Sequence, residues 1–232
     1  MAIDPAYNNK DTSLISILAN IAALWIVAEI GYYIFLPALG FGGGYTANPI
    51  AITIYYLFWL FITVFAFWNI YNEWRMFGKR LATYFFTIIA SAGVVFYIAY
   101  ILPLFPPITW ANLKPPSELL IATPWYFLPK SIDILFQQLL VSAMVIAFAH
   151  QKFPLREISV WCALLFGTAH LFLVFGKESL LYVTVFTVSA IIASFIFPYF
   201  ILKVKNGFIY SYFLHWLFYA VVIILVRLIV RI

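Results

Sequence analysis

The sequence predicts an all-α fold, a polytopic integral membrane bundle of about seven helices (six to eight), and three observations carry that reading. First, 66% of the 232 residues are apolar and 9% are charged, whereas a soluble domain carries about 25% charged residues to face water. Second, the mean hydropathy of +1.04 is gathered into long apolar runs separated by short polar ones. Third, those runs have the length of about 20 residues that a helix needs to cross a hydrocarbon layer roughly 30 Å thick. Strands of a transmembrane barrel would instead alternate over about ten positions. The composition excludes a soluble enzyme, a nucleic-acid-binding domain, a disordered chain and a disulfide scaffold. The net charge of +5 and the pI near 9.2 do not imply nucleic acid, because Lys and Arg gather at cytoplasmic helix ends. A single cysteine, Cys162, leaves no internal disulfide to form.

The predicted spans are Ser13–Leu36, Ile50–Tyr71, Ala82–Pro103, Ser131–His150, Ile158–Phe175, Leu180–Leu202 and Gly207–Val226. The first is too long for a signal-peptide core and follows Asp4 and Asp11 rather than a basic segment, so it reads as a retained helix. With the N-terminus in the cytoplasm, Lys10, Arg75, Lys79, Arg80, Lys152, Arg156, Lys203 and Lys205 fall inside. Lys114, Lys130, Lys177, Arg227 and Arg231 fall outside, the last two expected to snorkel to an interface. This bias predicts a cytoplasmic N-terminus and a C-terminus on the opposite side.

Seven of the twelve prolines lie between Pro103 and Pro129. Proline removes a backbone donor and stops helices, so residues 104–130 read as an extramembrane or interfacial loop. Leu119, Leu120, Ile121, Trp125, Tyr126 and Phe127 are expected in its headgroup layer. Gly42, Gly43 and Gly44 read as a flexible turn between the first two helices. No repeat or second domain is visible, so residues 1–232 read as one transmembrane domain.

An ionisable or strongly polar side chain at membrane depth is costly and marks a functional position by default. The candidates are Glu29, Gln137, Gln138, Ser142, His170 and His215, whereas His150, beside Gln151 and Lys152, reads as interfacial. At 1.5 Å rise per residue, Gln137 and His170 lie about 20 Å from the inner ends of their helices and His215 about 12 Å. Gln138 with Ser142, Phe166 with His170 and His215 with Tyr219 are each spaced i, i+4, so each pair shares a helix face. Three polar faces at similar depth suggest one internal pocket.

At these positions the chain resembles a family. Leu165-Phe166-Gly167-Thr168-Ala169-His170-Leu171 resembles the Phe-x-x-x-His motif of the CAAX-processing and bacteriocin-processing (CPBP) intramembrane proteases. The segment from Asn206 to His215 resembles the approach to that family's His-x-x-x-Asn/Asp motif. The family's Glu-Glu-x-x-x-Arg motif has its counterpart in Gln137-Gln138-Leu139-Leu140-Val141-Ser142. The likeness covers residues 131–222, the extent of the family's four-helix catalytic core. It implies Gln137 at the position of the general base, His170 as its helper, and His215 with Tyr219 as oxyanion donors, a base and preorganised donors in a water-poor cavity. Only the two histidines and Phe166 match. An amide takes no proton from water at neutral pH, and Ser142 stands where an arginine would pair with the acids. The leading expectation is a catalytically inactive relative that acts by helix–helix binding, a subunit or assembly factor whose partners are the bilayer and other transmembrane proteins.

Two alternatives remain at this stage. An active endopeptidase would need Glu29 as a substitute base. A pigment- or haem-binding subunit would use His170 or His215 as an axial ligand to a tetrapyrrole, in a chain that is 21% aromatic. No metal site is expected, because two histidines without a nearby carboxylate or thiolate make an incomplete set, and Cys162 lies about 12 Å along the helix from His170. Small residues at Ser189, Ala190, Ala193 and Ser194, and from Ala90 to Gly93, mark expected close helix contacts.

Overall fold

The computed structural model describes residues 13–74, 78, 80–108, 118–174 and 180–231. Among them there is no β-strand. Six helices are long and apolar enough to cross a membrane, which makes the protein an all-α polytopic bundle. We label the long elements α1 (Leu14–Ala38), α2 (Pro49–Ala66), α3 (Leu81–Leu104), α4 (Pro124–His150), α6 (Leu180–Lys203) and α7 (Gly207–Arg231). Between α4 and α6 runs α5, α-helical over Leu155–Cys162 and then irregular.

The bundle is built around α4. Within its most apolar stretch 83% of residues are buried inside the protein, against 6% for α3. α4 packs against α1, α2, α5, α6 and α7, so a helix with one long apolar run is an interior element here and not a lipid-facing one. α3 lies at the periphery and meets α7 through aromatic contacts, Phe86 with Tyr210 and Phe213, and Tyr97 with Trp216. Tyr97 also donates to the carbonyl of Ala220 at 2.8 Å. Among the described residues nothing packs closely on Gly93, where an added Cβ would meet nothing within 4 Å. The α6 pattern is used: Ala190 and Ser194 are buried, and Ile191 comes so close to Gly167 that a Cβ there would sit 2.7 Å from it.

Several expected boundaries move, each for a local reason. The second span breaks at Phe67, after which Trp68–Glu73 forms a separate short helix. The fifth span, expected at Ile158–Phe175, keeps α geometry only to Cys162. It passes through a π turn at Ala163–Gly167 and a 3-10 segment at His170–Val174, with Phe175 outside the described residues. Thr168 donates its hydroxyl back to the Leu164 carbonyl, a bond that competes with the helix ladder. The fourth span starts earlier than Ser131, because Pro124 and Pro129 sit in first-turn positions where the missing N–H is tolerated. Lys130, read as loop, is therefore inside α4 and buried.

The proline-rich segment is also drawn in. Leu119, Leu120, Tyr126 and Phe127 are buried against the bundle, while Trp125 stays 62% exposed. Arg227 does not snorkel. It is fully buried on α7 and donates from Nε to the Leu119 carbonyl at 3.3 Å. Its other nitrogens donate to the carbonyls of Phe105 and Ala122. A planar five-donor fork suits carbonyls that no helix satisfies. The same segment is tied to α1 where Tyr32 donates to Glu118. Gly43 and Gly44 take left-handed backbone (φ +94° and +77°), and a Cβ on Gly44 would lie 2.1 Å from Glu118 Oε1. The glycine run thus admits the Glu118 carboxylate and sets the short helix Gly44–Ala47 that carries Tyr45.

At the other end Asn206 fastens the α6–α7 turn to the segment between α2 and α3. Its side chain accepts from the Gly78 N–H at 2.9 Å and donates to the Gly78 carbonyl at 2.8 Å and to Thr83 at 3.0 Å. Replacing Arg227 by Met is expected to strand buried carbonyls at the proline-rich end, at about 1–3 kcal/mol for each one left without a donor. Thermal melting in detergent, with limited proteolysis between residues 105 and 123, reads the effect as a lower Tm and new cleavage confined to that segment.

Candidate functional site

The irregular half of α5 sets the histidine motif beside α7. Phe166 and His170 are one turn apart, with their rings at 4.9 Å in an edge-on arrangement. His215 and Tyr219 are one turn apart on α7 and stack at 5.7 Å. The two pairs meet, Phe166 lying 6.3 Å from His215. All four line a cavity of about 340 Å³ between α5, α6 and α7. Phe186 and Phe197 of α6 form its aromatic wall, 6.5 Å from His170 and 5.8 Å from His215. His170 Nδ1 lies 2.9 Å from the Phe166 carbonyl. His215 is 7% exposed, and its Nδ1 has no hydrogen-bond partner. π and 3-10 departures often mark functional sites, and this one turns His170 toward the cavity.

The polar residues of α4 do not join that cavity. Gln137 donates to Asp133 Oδ1 at 2.9 Å, Gln138 donates to Ser211 on α7 at 2.8 Å, and Ser142 donates to the Gln138 carbonyl one turn back. None of the three lines it. The expectation of one pocket shared by three polar faces is therefore corrected: α5 and α7 meet there, and the α4 amides are spent elsewhere. The reason is one residue type missed in the sequence, the acid one turn before Gln137.

Asp133 is 1% exposed and Lys130 6%, and they form an ion pair at 2.7 Å within α4. The Asp133 carboxylate accepts from Tyr45 at 2.9 Å and from Gln137, and the Tyr45 oxygen lies 3.0 Å from the Tyr56 hydroxyl. The Lys130 ammonium lies 4.1 Å from the ring centre of Tyr219 and 5.0 Å from that of Tyr45. A buried charge pair is tolerated only when hydrogen bonds satisfy its remaining lone pairs and protons. Here both carboxylate oxygens are occupied. Lys130-x-x-Asp133 followed by Gln137 was the available signal, hidden by the prolines that made Lys130 look like loop. Tyr45 and Tyr56 gave none, since each is an ordinary interfacial or lipid-facing tyrosine until the fold brings it to Asp133.

Glu29 is half-buried on α1 and interacts electrostatically with Asp133, Lys130 and Glu118. It belongs to the charged cluster and does not line the histidine cavity. Trp25, one turn before it, bridges the two regions: its ring lies 5.4 Å from Phe166 and 6.5 Å from His170. For the tetrapyrrole alternative, a macrocycle on either histidine would have to displace rings already packed at 4.9–6.5 Å. Among the described residues no group of three or more His, Cys, Asp or Glu is placed to hold a metal ion. Cys162 is buried and free.

Comparison with protein-family models, with curated proteins and with solved structures gives no match. The resemblance to the CPBP proteases rests on Phe166, His170 and His215 alone.

Removing one member of the ion pair should cost more than removing both. Lys130→Met or Asp133→Asn alone is expected to destabilise by about 3–5 kcal/mol, since each leaves an uncompensated buried charge. The double variant should recover much of the loss. Melting of the four proteins in one detergent measures the cycle, with additive losses the contrary result.

Proposed function

We propose that this membrane protein is a catalytically degenerate relative of the CPBP intramembrane proteases, working as a binding subunit or assembly factor for other transmembrane helices. The observation that carries the reading is chemical. The two positions at which the family resemblance calls for acids hold amides, Gln137 and Gln138, engaged with Asp133 and Ser211, and the histidine cavity is lined by no carboxylate. A water held beside His170 and His215 would have no base of the family's kind. Ser142, in place of an arginine, bonds within its own helix, so the motif positions themselves have lost acids and counter-charge together, and the remaining charge pair of Lys130 and Asp133 lies one to two turns earlier on α4.

The binding half of the reading draws on α3. Its outer face exposes Phe85, Ile88, Ile89, Val95 and Phe96, and Gly93 of its small-residue patch has open space beside it among the described residues. Small residues let helix backbones approach closely in lipid, where association depends on packing. A photoreactive residue at Ile89, activated in native membranes, is expected to give one discrete protein adduct, while the same residue at Val185 on α6 gives a different pattern. Native mass measurement showing a lone monomer, together with diffuse crosslinking only to lipid at Ile89, would overturn the reading.

Glu29 keeps the peptidase alternative in view, because Trp25 links its helix to Phe166 and His170. That alternative requires Glu29→Gln and His170→Ala each to abolish cleavage of a transmembrane substrate. The excess of Lys and Arg on the N-terminal side of the bundle supports a cytoplasmic location for that side. With Cys162 buried, a cysteine introduced at Phe41 should react with an impermeant maleimide on intact cells and one at Lys152 only after lysis. The reverse pattern would invert the topology.

A further inference from the structure

The histidine cavity has features that helix docking does not use. It opens sideways between α6 and α7, where Ile192 is 57% and Leu217 52% exposed. Ile192 lies about 18 Å from the start of α6 and Leu217 about 15 Å from the start of α7, by helix rise. The mouth therefore faces the hydrocarbon region, and whatever enters comes from the bilayer. The walls are apolar, with Phe186, Phe197, Ile196 and Phe218 among them, and the volume of about 340 Å³ falls in the lower part of the range for small-molecule sites.

The inner end is polar in a defined way. A carbonyl only accepts, so the 2.9 Å contact of His170 Nδ1 with the Phe166 carbonyl fixes the ring hydrogen on Nδ1. The neutral imidazole then presents Nε2 as an acceptor. His215, more than nine-tenths buried on the same cavity, has an Nδ1 without a partner. A buried polar atom in a hydrocarbon setting wants a hydrogen bond that lipid tails cannot give. A plain acyl chain would leave the His170 acceptor unmet, and an anion would bring charge into an apolar chamber facing an acceptor.

We propose that the cavity binds a lipid-soluble molecule with an apolar body and one hydroxyl head, the hydroxyl donating its single hydrogen to Nε2 of His170 beside the ring of His215 while the body lies between α6 and α7. The proposal stands apart from partner binding through α3, and neither depends on the other. Two kinds of membrane component share this chemistry, a single-chain alcohol and a diacylglycerol, and the experiment separates them.

The full chain is placed in phosphatidylcholine nanodiscs with a long-chain primary alcohol carrying a diazirine and an alkyne in its tail, or with its methyl ether. After irradiation, the alcohol is expected to label residues 189–197 and 214–221. The ether should label them about three- to tenfold less, the worth of one hydrogen bond. Ile192→Trp, at an exposed position that leaves the packing intact, should block both. His170→Phe, which keeps a ring of similar size and removes the acceptor, should bring alcohol and ether to the same level. Displacement of the label by unlabelled long-chain alcohol or by diolein supports the site and tells which source it takes. Equal labelling of the native chain by alcohol and ether, labelling indifferent to Ile192→Trp, or displacement by neither competitor would overturn it.

Discussion

The ion pair of Lys130 and Asp133 on the central helix constrains the rest of the bundle. In a membrane core two charges cannot be left to water, so their neighbours must supply every remaining bond. Tyr45 comes from the short helix after the glycine run, Gln137 from the next turn of α4, and the Tyr219 ring from α7. Two segments distant in sequence must therefore reach α4 at one depth. Lipid supplies little drive to pull helices together, because tails are as apolar as the helices themselves, so polar contacts carry much of the information about which helix sits where. The pair is better read as a device for fixing register than as a source of stability, since a buried ion pair often gains nothing over a packed apolar one.

The two ends of the bundle repeat this logic with neutral partners. Arg227 gathers carbonyls from the proline-rich segment, whose prolines cannot form a helix to satisfy them. Asn206 closes the opposite end by exchanging bonds with Gly78. Each is one polar side chain of the α6–α7 hairpin reaching a stretch of irregular backbone, which at membrane depth is tolerated only when buried and satisfied by protein.

These arrangements explain what the sequence could and could not disclose. The long helices were legible because hydrocarbon thickness dictates the length of an apolar run, whatever the helix packs against. The meeting of Phe166, His170, His215 and Tyr219 was partly legible, because i, i+4 spacing fixes a face and helix rise fixes a depth. The place of α4 at the centre was not, since an apolar run looks the same facing lipid or facing protein. Nor was the charged cluster. Asp133 finds Tyr45 88 residues away, a pairing with no local signature. Prolines misled at Lys130 because their effect depends on whether they fall in a first turn or an interior one, and composition does not distinguish the two.

Two polar regions thus lie side by side in different states of completion. Around Asp133 the Gln137 Oε1 has no partner, but the carboxylate itself accepts from Lys130, Tyr45 and Gln137 and is engaged at both oxygens. It is a poor candidate for chemistry despite lying one turn before the motif position Gln137 on α4. Around His170 and His215 the bonds are not filled: one imidazole is oriented by its own helix, the other is buried beside it without a partner at Nδ1, and the walls open toward the bilayer. Natural proteins seldom leave buried polar atoms unmet without a use. The irregular turns of α5 give up regular helix bonding to bring Phe166 and His170 to this position. A fold that pairs the charges on its central helix, yet spends backbone regularity to set the His170 acceptor on an apolar chamber, suits a neutral hydroxyl from the membrane, where a general base would have required the acid and the opening to coincide.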